Sequence, residues 1–358
     1  MGGGSSSSAK VKHPEYVGYD HFHMDKQVGE GGFGKVNAVT LTRTGADYAM
    51  KTLSKKTIRQ TKNVDMIRNE RNILEKLDSH SKWIAGMHFA FQNHENCYLV
   101  LTLALGGDLR YHYQHMEKGK PLAENRMAFY TRGIVLALQE IHSARIIHRD
   151  IKPANVVINK LGYPVVTDFG ISKVMDEDGY CYGSSGTRMF MPPEALKNPH
   201  KQNKLADTFS LAVMVMELTT GKKPSKGALI SSEKMASTAS TDSPMVDFDS
   251  FKVSEECRDF LKKTLIRTAS ERLDTDGMLK HAWLSSMDTK SFDTQTQAAP
   301  WKPGGRAYCV INEAAEAGGL LFDDAPDIDK LVPPLDTDYG AFKGYDYNCS
   351  IQVGEPEK

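Results

Sequence analysis

The chain has 358 residues, 40% of them hydrophobic, which gives room for two or three domain-sized units with buried cores. Its 45 basic and 45 acidic residues cancel to a net charge of +0, so no field of the whole molecule holds nucleic acid or an anionic membrane; any polyanion must be gripped locally. The five cysteines, Cys97, Cys181, Cys257, Cys309 and Cys349, lack the paired spacing of zinc sites or disulfide scaffolds, and no apolar stretch approaches the roughly 20 residues that cross a bilayer.

Residues 1–21 form a leader that opens M-G-G-G-S-S-S-S-A, gives nothing to pack and reads as flexible. Its first residues also fit the N-myristoylation pattern at Gly2, and one acyl chain would give only reversible membrane association. No apolar core of a secretory signal is present in it, and the expected setting is cytoplasmic and reducing. Residues 25–103 read as short strands interrupted by one helix. The run Y-L-V-L-T-L at 98–103 suits a buried strand, and residues 64–77 carry helical spacing at Ile67, Ile73, Leu74 and Leu77. After Gly106-Gly107 the pattern changes to long helices, amphipathic at 122–142 and apolar nearly all round at 209–218. Residues 222–250 are rich in Ser, Thr, Lys and Pro and read as an exposed insert. From Trp283 onward Pro, Gly and Asp predominate with scattered aromatics, the pattern of an extended tail laid across a surface rather than a third core.

Chemistry concentrates at four places. G-E-G-G-F-G-K-V at 29–36 is weak evidence alone, since glycines admit phosphate to the backbone in several folds. Its context decides. A dinucleotide site needs a helix opening inside the motif, whereas here a strand, V-N-A-V-T-L, follows, and the loop lacks the Gly-Lys-Ser/Thr ending of a Walker loop. The motif therefore reads as a hairpin flap over phosphates. Lys51 sits alone in an apolar strand, and Glu70, in the helix, is positioned to pair with it so that it holds phosphate oxygens as a fixed point charge. I-I-H-R-D-I-K-P-A-N at 146–155 puts Asp150, Lys152 and Asn155 on one loop behind a short buried strand, and T-D-F-G places Asp168 after a further hairpin. Asp150 suits acceptance of a hydroxyl proton, Lys152 neutralises charge on a transferred phosphoryl, and Asn155 and Asp168 offer the hard oxygens that Mg²⁺ takes.

This ordered set resembles the protein kinases over residues 22–284, and the expectations that follow are what that resemblance implies. The fold is α+β and two-lobed: a small antiparallel β lobe with one helix at 22–104, a larger mainly helical lobe at 105–284, and a C-terminal tail at 285–358 like that of the AGC group. The reaction is transfer of the γ-phosphoryl of Mg²⁺-ATP, with Mn²⁺ as the alternative ion, to Ser/Thr hydroxyls of proteins. Asp150 is the catalytic base, Lys152, Lys51 and Glu70 support it, and Asn155 and Asp168 hold metal. Val28, Gly29, Gly31, Gly32, Phe33, Gly34 and Val36 form the nucleotide flap. Ala49, Leu101, Thr102, Ala104, Asp108 and Val157 enclose the adenosine, and Lys51 and Asp168 meet the phosphates. Lys152 marks the serine/threonine class.

The same resemblance pairs Glu194 with Arg272 and makes Asp207 the tether of the catalytic loop. G-G-D-L-R-Y-H at 106–112 and the tail resemble the AGC group, with the YANK and G-protein-coupled receptor kinases as nearest kin. Phe342, Tyr345 and Tyr347 resemble the motif such tails tuck against the small lobe, and Asp346 falls where a phosphorylated residue often sits. Arg149 implies a phosphate on the following segment, for which Ser184 and Ser185 are the candidates, Gly183 occupying the place of the usual Thr. Asp108 and Glu217 imply a taste for basic substrates, which Ala154, in place of a frequent Glu, opposes. A monomer acting on protein, without nucleic acid, completes the expectation. The competing class is a pseudokinase scaffold that binds nucleotide or partners without turnover.

Overall fold

In a computed structural model of the chain, the residues described are 17–31, 34–222, 246–303, 345, 347 and 348. Gly2, Gly32, Phe33, Cys309, Phe342, Asp346, Cys349 and most of the insert lie outside them. The small lobe is built from β1 (Phe22–Gly31), β2 (Gly34–Leu41), β3 (Ala46–Ser54), β4 (Met87–Gln92) and β5 (Asn96–Thr102). All neighbours are antiparallel, in the order β1-β2-β3-β5-β4. Strand alternation decides what faces where. Met50 joins Phe22, Phe89, Phe91, Tyr98 and Val100 in an apolar cluster on one face of the sheet. Its neighbours Ala49 and Lys51 therefore face the other way, into the cleft below.

The expected helix is α2 (Val64–Lys76), whose buried side is Ile67, Glu70, Arg71, Ile73 and Leu74. Glu70 lies three residues after Ile67 and four before Leu74, so the apolar stripe that docks the helix carries the carboxylate with it. A second, shorter helix, α1 (Lys55–Gln60), precedes it. Ser54 accepts from the Thr57 amide and Ile58 is fully buried, but six residues are too few to show a period in the sequence.

In the large lobe, the expected amphipathic helix is α4 (Glu124–Ser143), reached from the hinge through α3 (Leu109–Tyr111) and a π-helical turn, His112–Met116. Paired short strands carry the site loops: β6 (Ile146–Ile147) with β9 (Lys173–Val174), β7 (Val156–Ile158) with β8 (Pro164–Val166), and β10 (Cys181–Tyr182) with β11 (Lys201–Gln202). After α5 (Pro193–Leu196), helix α6 (Leu205–Thr220) is buried at every position from Ala206 to Thr219, as its all-round hydrophobicity requires. It ends at Gly221, whose φ of 69° is the left-handed stop that glycine takes without strain. Arg272 holds Glu194 with two bonds of 2.6 and 2.8 Å, as expected, and closes the lobe beneath the site.

Beyond residue 284 the described part of the tail begins with another helix, Thr289–Asp293, where an extended path was expected. Tertiary packing overrides composition there. Phe292 is fully buried and stacks on Trp83 at 5.5 Å, and Trp301 meets His112 edge-on at 4.4 Å. Tyr345 is buried, its carbonyl accepting from Arg71 Nε at 3.1 Å, and β12 (Tyr347–Asn348) adds an outer strand to β4. The described residues of the aromatic tail motif thus lie against the small lobe.

Among the described residues no helix is long and apolar enough to cross a membrane. Cys97, Cys181 and Cys257 are buried and joined in no disulfide among the described residues.

Candidate active site

A cleft of about 610 Å³ separates the lobes. The residues proposed for the site that line it are Val28, Gly29, Gly34, Val36, Ala49, Lys51, Glu70, Leu101, Thr102, Ala104, Asp108, Asp150, Lys152, Asn155, Val157 and Asp168. Gly31 ends β1 opposite Gly34, and Gly32 and Phe33 fall outside the described residues. Gly34 has a reason of its own for being glycine. A Cβ there would lie 1.7 Å from the Thr52 carbonyl oxygen, so the flap can cross β3 only without a side chain.

Lys51 Nζ sits 2.6 Å from Glu70 Oε1 and 3.8 Å from Asp168 Oδ1. Burial opposes the ammonium charge, but Glu70 and Asp168 outweigh it and raise the pKa. For Asp168, too, burial works against ionisation, while Lys51, His148 and the Gly170 amide hold the carboxyl below its usual range. The strand therefore presents a fixed positive charge beside the ionised carboxylate of Asp168, while burial pushes the Glu70 carboxyl up against the pull of Lys51. Asn69, the residue before Glu70, donates to the Ser172 carbonyl at 2.8 Å, which couples α2 to the chain just after Asp168.

Asp150 is enclosed by four donors. Its Oδ2 accepts from Lys152 Nζ at 2.6 Å and Asn155 Nδ2 at 2.9 Å, and its Oδ1 from the Thr187 amide at 3.0 Å and hydroxyl at 2.6 Å. Lys152 also donates to the Thr187 hydroxyl at 3.0 Å. Thr187 is a site residue that the motif spacing of the sequence does not single out. Its hydroxyl shows that Asp150 Oδ1 accepts an alcohol O–H at hydrogen-bond distance, the contact that general-base removal of a hydroxyl proton requires.

The loop bearing Asp150 is held from below by Asp207. That carboxylate accepts from the His148 amide at 2.9 Å, the Arg149 amide at 2.8 Å and His142 Nε2 at 2.8 Å. Although burial pushes its pKa up, His142, His148 and the Arg149 amide pull it below the usual value. The tether expected from the sequence is present, and it secures Arg149 at a φ of 67°, a conformation that non-glycine residues rarely hold. The Arg149 side chain donates from Nε to the Ile171 carbonyl at 2.7 Å, while Nη1 is buried without a hydrogen-bond partner among the described residues.

The donor set fits a divalent ion. Asn155 spends its amide nitrogen on Asp150, which leaves its oxygen as the atom for a cation, and Asp168 adds an ionised carboxylate. Among the described residues no group of three or more His, Cys, Asp or Glu could cage a metal. Two hard oxygens are what Mg²⁺-like ions take when phosphates and waters complete the shell.

The model for the protein kinase domain matches residues 22–284, and the chain belongs to that family. Its relatives place it with the serine/threonine kinases, AGC-type members among them. The RAC family serine/threonine-protein kinase homolog of Dictyostelium discoideum is 30% identical over 324 residues, 88% of this chain and 69% of the relative. Serine/threonine-protein kinase SCH9 of Candida albicans is 32% identical over 292 residues, 80% and 36% of the two lengths. Rhodopsin kinase GRK7 of Sus scrofa is 29% identical over 325 residues, 88% and 58%. The chain thus spans between 36% and 69% of the length of these relatives. Family membership implies ATP and a divalent metal ion at the cleft.

Proposed function

We propose that the chain is an active kinase that transfers the γ-phosphoryl of ATP, with Mg²⁺ and alternatively Mn²⁺, to Ser/Thr hydroxyls of proteins. The observation that carries this reading is the simultaneous placement of Lys51 against both Glu70 and Asp168, and of Asp150 against an alcohol oxygen. A divalent ion held by Asn155 and Asp168 would draw negative charge off the phosphates. Lys51 fixes phosphate oxygens, Asp150 orients the incoming hydroxyl and takes its proton, and Lys152 offsets the charge that develops between them. The flap and hinge exclude water from the nucleotide. Incubation with labelled ATP, Mg²⁺ or Mn²⁺, and a Ser/Thr peptide is the test, and transfer no greater than that of Asp150→Asn would return the chain to the scaffold class.

The rest of the proposal rests on sequence pattern. Gly2 is myristoylated and gives reversible membrane association to a cytoplasmic monomer that does not engage nucleic acid. Phosphorylation at Ser184 or Ser185 orders the segment through Arg149, a reading supported by the partnerless Nη1 of that residue.

A further inference from the structure

We infer that the space over Gly183 is a binding site for a phosphate-like oxyanion from outside the chain, held between Arg149 and Lys173, and that its occupancy raises turnover by fixing the segment that carries Thr187. The part about turnover rests on the kinase reading above; the site itself does not. A Cβ at residue 183 would lie 3.3 Å from Arg149 Nη1 and 3.6 Å from Lys173 Nζ, yet the sequence puts no side chain there. Two cations thus converge on one small volume. Arg149 is 7% exposed, and its Nη1 is buried without a hydrogen-bond partner among the described residues. Lys173 is exposed, and its Nζ donates to a neutral group, the Tyr182 carbonyl.

The neighbouring acids are occupied or uncharged. Asp207 supports the guanidinium charge, but it is spent on the His148 and Arg149 amides and on His142. Cys181 also feels Arg149, yet burial pushes its thiol above the ordinary value, so it supplies no thiolate. Asp176 accepts the Tyr180 amide at 2.8 Å. Ser184 and Ser185 are exposed and, unmodified, bring no charge. A buried guanidinium nitrogen without an acceptor is costly, and an oxyanion that reaches it gains charge-assisted bonds without breaking one that Nη1 already makes. The backbone that must yield is short. Gly183 is tied by its amide to the His200 carbonyl at 3.2 Å and by its carbonyl to Gln202 Nε2 at 2.6 Å, next to a two-residue ladder, and such a piece opens locally at small cost. Once seated, the anion joins the loop of Asp150, through Arg149, to the strand that follows Asp168, through Lys173.

The test uses the full chain carrying Ser184→Ala and Ser185→Ala, so that neither serine can carry a phosphate, with ATP saturating and Mg²⁺ in excess. Inorganic phosphate is titrated against potassium chloride at equal ionic strength. Phosphate is expected to slow hydrogen exchange at residues 181–186 and to raise kcat/KM for a Ser peptide about fivefold or more. A phosphoserine peptide without a free hydroxyl, added at the same concentrations, tells the sources apart: higher potency than phosphate assigns the ligand to another polypeptide, equal or lower potency to the free ion. Each variant is read against its own phosphate-free rate. Lys173→Met should remove both responses and Lys173→Arg should restore them. Chloride matching phosphate overturns the inference. Responses that survive Lys173→Met, or protection that leaves a measurable turnover unchanged, overturn it too and mean an adventitious ion only. Hydrogen exchange repeated in Asp150→Asn separates the two readings: protection there, with no turnover in the parent, removes the kinase reading and keeps the site, whereas turnover without protection removes the site alone.

Discussion

Residues 146–155 and residues 171–191 meet across Asp150, and they are held by different means. In the first, Ile146, Ile147, His148 and Ile151 have no exposed surface, and a fully buried carboxylate, Asp207, accepts two consecutive main-chain amides. In the second, Val174, Tyr182 and Met189 are 42%, 47% and 38% exposed. It is held by two-residue ladders, β9 on β6 and β10 on β11, and by scattered side-chain bonds such as those from Lys173 Nζ to the Tyr182 carbonyl at 2.7 Å and from Gln202 Nε2 to the Gly183 carbonyl at 2.6 Å. The carboxylate proposed as the catalytic base is thus set by the core. The hydroxyl that touches it, Thr187, arrives on a segment that can open locally at far lower cost than the fold. One catalytic constellation combines a fixed half and an adjustable half.

The largest expected effect lies in the fixed half: Asp150→Asn should lower kcat about 10²- to 10⁴-fold, measured by peptide phosphorylation, with far-ultraviolet circular dichroism unchanged. Asp207→Ala should cost about 3–5 kcal/mol in urea unfolding, since it leaves buried donors without their anion. An unfolding curve that matched the parent's would mean that the loop is anchored by something else. Because the folded pKa of Asp207 lies below its ordinary value of 3.8, its contribution is complete above that pH and disappears as pH falls through the folded value. The gap between parent and Asp207→Ala should therefore stay constant from neutrality to about pH 5 and close in stronger acid.

In the adjustable half the effects shrink. Gln202→Ala should release about 1 kcal/mol, visible as faster hydrogen exchange at residues 181–186 while the amides of His148 and Arg149 stay protected. Coupled loss of protection in both places would erase the distinction. Smallest for the unmodified protein is the double substitution Ser184→Ala, Ser185→Ala, which should leave its basal turnover within a few-fold and abolish activation by phosphorylation. Equal turnover of this variant and the phosphorylated parent would remove Ser184 and Ser185 as the switch.

What was legible in the sequence followed the same division. Lys51, Glu70, Asp150, Asn155 and Asp168 each stand in a short motif whose neighbours fix strand, helix or loop, so their convergence on one cleft could be inferred from local signals. The Asp207 tether and the Glu194–Arg272 pair were legible only through the family resemblance, since each joins residues far apart in the chain. Thr187 was not, because its role depends on Gly186, at a φ of 143°, turning the chain back onto Asp150. Nor was the employment of Asp108 as a cap, which only the start of α3 reveals. The burial of Phe292 against Trp83 joins positions some two hundred residues apart, beyond any periodicity that a window can detect.

The strand β12 has a consequence unrelated to turnover. By pairing with β4 it covers a row of amides and carbonyls that would otherwise template the addition of a strand from another molecule. A version of the protein cut before residue 345 should accordingly self-associate through that edge, and loss of solubility would precede any loss of chemistry.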